Sequence, residues 1–200
     1  MRHLVITIGC EYGAKGNAIG RKIAEDLNIK FYNRELVDEI IEEVGIPKEI
    51  MEKVEEGGTI AGKGAEGDVR GSFSKYADLT DRAIHVQKQI IRKLAEKESC
   101  VIIGRCANMI LKDYSNVLRV FVYGDWDFRI REASKKLSGT TKDIEKFMHK
   151  DDKRKEDFCK RFMGVDWADM TKYNLCLDNG TLGYKKCVEE IESALEILKK

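Results

Sequence analysis

The sequence predicts one α/β domain over residues 1–200, with a parallel core sheet between two layers of helices. Short apolar runs alternate along the chain with longer segments whose apolar residues recur at helical spacing. Two of the runs, 100–103 and 120–123, contain no charged residue. Such runs are typical of parallel strands that are covered on both faces. Together these patterns predict a three-layer αβα fold.

The predicted strands mark the edge at which function is expected. In open parallel sheets, ligands bind beyond the carboxyl ends of the strands, at the loops that follow them. The strands are predicted at residues 4–8, 30–32, 99–104, 118–123 and 173–177.

The predicted helices follow the apolar spacing between these strands. One glycine-rich stretch, 55–74, contains few apolar residues and is expected to be a mobile surface loop. The chain's only proline, Pro47, is expected in the first turn of a short helix, where its missing N–H does little harm. The other helices are predicted at residues 19–27, 35–44, 80–97, 127–137, 141–162 and 183–198.

Composition limits the classes of partner. The 36 Lys and Arg residues nearly balance 35 Asp and Glu residues, so no strong overall field draws the chain to nucleic acid or to a membrane surface. We expect no membrane span and no signal peptide in residues 1–9. The six cysteines show no CxxC pair or zinc-site spacing, which favours free structural thiols and a cytoplasmic location.

The turn at residues 9–16 is the strongest candidate for a ligand site. The segment TIGCEYGAKGNAIGRKIA carries several glycines between a strand and the start of a helix. Glycines allow a sharp turn with exposed N–H groups, and a helix N-terminus favours negative charge, so the segment predicts a phosphate cradle. It is not a complete P-loop, because Gly16 stands where Ser or Thr is expected after Lys15. The alternative is an ordinary packing turn.

Two arginines follow predicted strands. Arg105 comes directly after the apolar run 100–103, where its guanidinium suits a phosphate, with a structural ion pair as the alternative. Arg34 ends the second strand and is either a ligand residue or a helix-surface residue. Asp125 and Asp178 also end strands; for Asp178 we favour turn chemistry. Glu11 is a candidate general base, metal ligand or cap of neighbouring amides.

At this point the residues show a resemblance. The segments ITIGCEYGAKGNAIGRKIAEDLNIKFYNRELV, VIIGRCANMIL, VLRVFVYGDWDFRIR and DDKRKEDF, with the later GVDWADMTKYNLCLDNGTLG, resemble the cytidylate-kinase-like family of P-loop proteins. The resemblance implies a P-loop kinase type of fold. It implies a mobile, monophosphate-binding insertion at about residues 45–80 and helical lid segments at about 127–165.

The resemblance also assigns roles to residues. It implies ATP and Mg²⁺ as cofactors, and no residue is assigned as a metal ligand. Arg131 and Lys153 are expected to be solvated, as is the charged face of residues 141–160. The implied catalytic residues are Lys15, Arg105, Arg129 and Arg154. The implied cofactor-binding residues are Gly9, Glu11, Tyr12, Gly13, Ala14, Lys15, Gly16 and Asn17, and those for substrate are Arg34 and Arg105.

The function expected from these observations is an ATP-dependent phosphotransferase acting on a nucleoside monophosphate or another small acceptor. The partners would be a nucleotide and a small phosphorylated ligand. The alternative is a nucleotide- or phosphate-binding module of the same fold with little or no turnover, because the loop lacks its hydroxyl. A nicotinamide-dependent reductase is a third hypothesis, although the dinucleotide-binding motif GxGxxG is absent from the sequence. Cys106 stands where cytidylate kinases proper carry an aspartate, so the base preference is left open.

Overall fold

The computed structural model describes residues 3–55 and 69–198. In this part of the chain five strands form one sheet, and every neighbouring pair is parallel. The strands are β1 (Val5–Cys10), β2 (Lys30–Tyr32), β3 (Cys100–Ile103), β4 (Val117–Tyr123) and β5 (Leu175–Asp178). Their order across the sheet is β2-β3-β1-β4-β5, so β1 lies at the centre.

Helices cover both faces of the sheet. They are α1 (Gly16–Asp26), α2 (Arg34–Glu43), α3 (Lys48–Glu55), α4 (Val69–Lys97), α5 (Ala107–Ile110), α6 (Trp126–Ser134), α7 (Thr141–Met163), α8 (Asn179–Leu182) and α9 (Tyr184–Leu198). A short 3₁₀ helix spans Met170–Lys172.

The core follows the alternation of side chains along β1. Ile6 and Ile8 pack in one cluster with Ile19 of α1 and Ile191 of α9. Val5 faces the other side and packs with Ile91 of α4 in a second cluster. Because successive strand residues point to opposite faces, one strand supplies both layers of the core. The predicted three-layer α/β fold is confirmed.

Three sequence-based boundaries are corrected. Helix α4 begins at Val69, so the predicted loop 55–74 is wrong for residues 69–74, and residues 56–68 lie outside the described part of the chain. The short helix α5 was not expected. Pro47 precedes α3 rather than lying in its first turn, and its carbonyl accepts a hydrogen bond from the Ile50 amide at 3.0 Å.

Side-chain caps explain where several helices start. The Asn33 side chain accepts from the Leu36 amide at the start of α2, and Asp125 accepts from the Phe128 amide at the start of α6. Asp178 accepts from the amides of Gly180 and Thr181 and starts α8. The turn chemistry expected for Asp178 therefore continues into a one-turn helix. Among the described residues, no helix combines the length and apolar character needed to cross a membrane.

Candidate active site

The turn between β1 and α1 is shaped by two close backbone approaches. Gly13 has φ +83°, and a Cβ there would lie 2.4 Å from the Arg129 carbonyl oxygen on α6. A Cβ on Gly16 would lie 2.5 Å from Cβ of Cys10. Only glycine allows these approaches, so the glycine spacing read from the sequence sets how closely α6 and β1 pack against the turn.

A carboxylate of the protein itself accepts a hydrogen bond from a backbone amide of this turn. The Tyr12 N–H donates to Oδ1 of Asp152 on α7 at 2.8 Å. The Asp152 carboxylate also pairs with Arg129, and it lies 3.2 Å from Nζ of Lys155. One main-chain donor and two cations therefore converge on a single negative group, which is the arrangement that a phosphate requires.

Arg129 is held in place by two further contacts. Its Nε donates to the Tyr12 carbonyl at 2.8 Å, and a terminal nitrogen lies 3.2 Å from the Glu11 carboxylate. Glu11 in turn accepts from the Gly124 amide. Burial raises the pKa of Glu11, and the charge of Arg129 opposes that rise. Of the three roles considered for Glu11, its contacts match the capping of a neighbouring amide.

The loop lysine has partners of its own, different from those of Asp152. Lys15, with φ +65°, is the N-cap residue of α1. Its Nζ lies 3.3 Å from Glu132 of α6 and 5.4 Å from the centre of the Tyr184 ring. Next to it the buried Ala14 carbonyl accepts from Asn179, while Asn17 is exposed at the start of α1. Lys15 is therefore paired with Glu132, and it is not among the residues that line the cavity described next.

A cavity of about 130 Å³ opens at the carboxyl ends of β1 and β3. Its walls combine apolar groups with four cationic side chains. The lining includes Gly9 and Cys10 of β1, and the cationic residues are Arg34, Arg105, Arg154 and Lys155. The cavity thus lies beside the turn, at the sheet edge predicted from the sequence.

Arg105 is buried at the base of this cavity. Its side chain is 3% exposed and forms an ion pair with Asp38 of α2. Burial lowers the pKa of Arg105 to about 10, so the guanidinium is charged at neutral pH, while burial also raises the pKa of Asp38. Arg105 therefore forms the structural ion pair that was considered as the alternative, and it also lines the cavity, while a ligand contact by Arg105 stays a prediction.

Arg34 and Arg154 border a second, more open groove of about 530 Å³. Nε of Arg34 lies 3.8 Å from Asp38, and Arg154 donates to Asp151 at 2.7 Å. The groove also has residues from α3 and α7 in its walls: Glu49, Glu52, Lys53, Phe147 and Lys150. Helix α3 belongs to the segment 45–80 for which a monophosphate-binding role is expected.

Lys155 was missed by the sequence analysis. Its Nζ lies 3.1 Å from the Cys10 carbonyl and 2.8 Å from Asp151, and it lies near the rings of Tyr12 and Trp167. Burial acts to lower the pKa of Lys155, but the negative groups around it outweigh burial and raise it. The i,i+3 and i,i+4 spacings to two aspartates on one helix were the available signal.

The charged face of α7 is thus only partly solvated, contrary to expectation. Lys153 is exposed and pairs with Glu156 and Asp157 on the same helix, as expected, and Arg131 is also exposed. The neighbours of Lys153 that turn inward are Asp151, Asp152, Arg154 and Lys155, all of them half-buried. Asp151 and Arg154 pair with each other on α7, whereas Asp152 and Lys155 also contact the turn after β1, and charge composition alone does not show those distant contacts.

The expectation of free thiols is wrong for two cysteines. Cys106, which follows Arg105, forms a disulfide with Cys159 of α7, 53 residues away. Both also line the cavity. Sequence spacing could not identify this pair, because a helix and a strand-end loop bring the two residues together only in the folded chain. The other cysteines of the described residues, Cys10, Cys100, Cys176 and Cys187, are free.

Comparison with known proteins gives a consistent family and fold. A family model described as the cytidylate kinase-like family matches residues 5–181. The chain is 27% identical over 132 residues to a cytidylate kinase of Archaeoglobus fulgidus, covering 64% of this chain and 70% of that protein.

Two solved structures extend the comparison. An uncharacterized protein from Eubacterium ventriosum superposes with a TM-score of 0.75 at 26% identity, over 97% of this chain and 99% of the other. A shikimate kinase from Bacteroides thetaiotaomicron superposes with a TM-score of 0.53 at 14% identity, over 96% and 98% of the two chains. The second likeness concerns the fold alone.

Proposed function

Because this chain belongs to the cytidylate kinase-like family, we propose that it binds ATP and transfers the γ-phosphoryl group to a small acceptor, with nucleoside monophosphates as the acceptor class. The observation that carries the proposal is the pairing of an anion-holding turn with an adjacent cavity lined by arginines. Phosphoryl transfer needs such cations, since charge must be neutralised while donor and acceptor approach in line. The related cytidylate kinase supports the choice of acceptor class.

The residues divide into a donor side and an acceptor side. On the donor side, the Tyr12 amide, Arg129 and Lys155 would hold phosphate oxygens, as they hold the Asp152 carboxylate. On the acceptor side, Arg34 and Arg105 would bind the monophosphate. Arg154 borders both the cavity and the groove, where it can neutralise the transferring group.

The transfer itself needs little covalent chemistry from the protein. An acceptor phosphate oxygen attacks the γ-phosphorus, the new P–O bond forms, and the bond to the β,γ-bridging oxygen breaks to release ADP. Mg²⁺ supplies neutralisation of the donor phosphates when it is bound. In residues 3–55 and 69–198, no group of three or more His, Cys, Asp and Glu side chains is arranged to hold a metal ion.

A second candidate function is nucleotide or phosphate binding without turnover. Two observations favour it: Lys15 contacts Glu132 rather than the cavity, and Gly16 stands at the position of the P-loop hydroxyl. The catalytic role assigned to Lys15 by resemblance stays a prediction. Lys15→Ala tests this role directly. If Lys15 stays paired with Glu132 during turnover, its replacement should leave the rate of ADP release unchanged.

The first experiment is a thermal-shift panel of ATP, GTP, CMP, dCMP, UMP and AMP, each with and without Mg²⁺, followed by coupled ADP release. We expect ATP and one monophosphate to raise the melting temperature and to yield ADP together. Stabilisation without ADP would favour the binding module. If no nucleotide raised the melting temperature, the proposed function would be wrong.

Arg154→Ala, with Lys153→Ala as its matched control, tests whether Arg154 neutralises the phosphoryl group during transfer. The two residues are adjacent on α7, but only Arg154 lines the cavity. We expect Arg154→Ala to lower kcat by about 100-fold or more, because such arginines act mainly on the transition state. Lys153→Ala should stay within about threefold of the parent. Equal rates for both variants would remove Arg154 from the mechanism.

A further inference from the structure

The contact between Asp152 and the turn after β1 differs from an ordinary surface ion pair. Its Oδ1 accepts from the Tyr12 amide at 2.8 Å and lies 3.2 Å from Nζ of Lys155. Its Oδ2 pairs with Arg129, whose side chain is 7% exposed. A main-chain N–H and two cations of different elements thus surround one carboxylate, inside the segment that the glycines shape for an anion.

We propose that Asp152 is an internal occupant of the donor-phosphate site, and that a phosphate group of the ligand binds by displacing the Asp152 carboxylate. This inference rests on the proposed function for the identity of the ligand as a nucleotide, but not for the anion site itself. A phosphate offers more acceptor oxygens and more negative charge than a carboxylate, so the same three donors suit it.

The contacts that remain after displacement make the exchange feasible. Without Asp152, Arg129 still has the Glu11 carboxylate at 3.2 Å and the Tyr12 carbonyl at 2.8 Å. Lys155 still has Asp151 at 2.8 Å and the Cys10 carbonyl at 3.1 Å. No cation is left without a counter-group, and the Tyr12 amide gains the incoming phosphate. For Arg129 and Lys155 the large cost of stranding a buried cation is therefore avoided.

Lys155 connects the cavity to this site. Cys10 and Lys155 line the cavity, and Lys155 contacts Asp152 directly. Asp152 therefore competes for the site from inside the protein, and it lowers the apparent affinity by the fraction of time that it occupies the site.

Two neighbouring aspartates provide a matched test. Asp151 and Asp152 both contact Lys155, but only Asp152 contacts the Tyr12 amide and Arg129. Binding of inorganic phosphate to the full chain would be measured by isothermal titration at constant ionic strength. We expect Asp152→Asn to tighten binding about tenfold, Asp151→Asn to change it by about threefold at most, and Lys155→Met to weaken it about tenfold or more.

The outcomes separate the inference from the proposed function. The inference is wrong if Asp152→Asn binds phosphate no more tightly than the parent, or no more tightly than Asp151→Asn. Asp152 would then serve only as a structural contact between α7 and the turn. If Asp152→Asn gains affinity for phosphate while neither chain binds ATP or releases ADP, the inference stands and the proposed function fails.

A measurement on the unaltered chain covers the case in which Asp152→Asn does not fold. Phosphate that displaces Asp152 should slow hydrogen exchange of the turn at residues 10–17 and speed it on α7 around Asp152, because α7 loses an anchor there. Unchanged exchange on α7 at saturating phosphate would overturn the inference.

Discussion

Among the described residues, four non-glycine residues have positive φ, and three of them lie in the turns that follow β1 and β3. These are Lys15, Arg105 and Cys106, and Gly104 beside them has φ +69°. A left-handed backbone costs an ordinary residue about 1–2 kcal/mol. Such conformations cluster where a fixed geometry is needed. The free-energy cost of left-handed backbone in non-glycine residues therefore falls mostly at the candidate site.

Gly13→Ala tests how tightly the turn is packed against α6. Gly13 and Gly45 have nearly equal positive φ, +83° and +87°, but a Cβ at Gly13 meets the Arg129 carbonyl, whereas a Cβ at Gly45 meets nothing within 4 Å. Gly45→Ala should lower the free energy of unfolding by about 1 kcal/mol, through φ alone. Gly13→Ala should lower it by about 3 kcal/mol, because backbone must also shift. Urea unfolding measures both, and equal losses would mean that the contact with Arg129 carries no energy.

Single residues also show where sequence reasoning succeeds and where it ends. Arg105 could be placed at the ligand edge because it directly follows an apolar strand, and it lines the cavity. Its partner Asp38 lies 67 residues away on α2, and no local pattern connects the two. Lys15 was assigned by its position in a motif, but its side chain contacts Glu132 of α6, which the motif does not predict. Motifs predict backbone position better than side-chain partners.

The strands were predicted closely, both for the half-exposed edge strand β2 and for the fully buried β3. β2 is found at the predicted residues, and the other strands agree within about two residues at each end. The start of α4 was missed because Gly71 and its polar neighbours favour a loop by local propensity. Propensity is a weak guide that tertiary contacts override. The one-turn helices α5 and α8 are too short to show a helical period in the sequence.

The disulfide between Cys106 and Cys159 predicts a redox-dependent stability. It ties the start of α5 to α7 across 53 residues, and a loop of that length corresponds to about 4 kcal/mol of stabilisation. Dithiothreitol should lower the free energy of unfolding of the parent chain by about that amount. Cys159→Ser should lose the same stability and no longer respond to the reductant.

Cys176→Ser is the control for this experiment. Cys176 is a half-buried free thiol on β5, so its replacement should leave the response to dithiothreitol intact. Alkylation followed by mass spectrometry reports how many thiols are free. Two additional alkylated thiols in the untreated parent, together with no effect of dithiothreitol, would contradict the pairing.

At the scale of the whole molecule, strand order places the site. β2 and β3 lie on one side of β1, and β4 and β5 lie on the other side. The direct neighbours of β1 are therefore β3 and β4. The loops after β1 and β3 therefore meet at the carboxyl edge, as the rule for parallel sheets predicts. The rule does not predict how α7 packs across that edge. Its inward face depends on Phe158 and Cys159, which are buried against residues from α3, α4 and α5.

The packing of α7 predicts that this helix and the sheet unfold together. Trp167, just after α7, contacts Phe121 of β4 with ring centres 5.3 Å apart, and Tyr12 of the turn contacts Phe147 of α7 at 5.1 Å. With the disulfide, these contacts join α7 to the sheet at separate points along its length. Thermal unfolding of the oxidised chain should therefore give the same midpoint by tryptophan fluorescence and by far-ultraviolet circular dichroism.

The two tryptophans, Trp126 at the start of α6 and Trp167 just after α7, make fluorescence a local probe of this segment, whereas circular dichroism reports on the helices of the whole chain. Trp126→Phe leaves Trp167 as the only reporter and separates α6 from the end of α7. A fluorescence midpoint clearly below that of circular dichroism would mean that α6 and α7 unfold as a separate cooperative unit. Coincident midpoints would mean that α7 unfolds in the same cooperative transition as the rest of the domain.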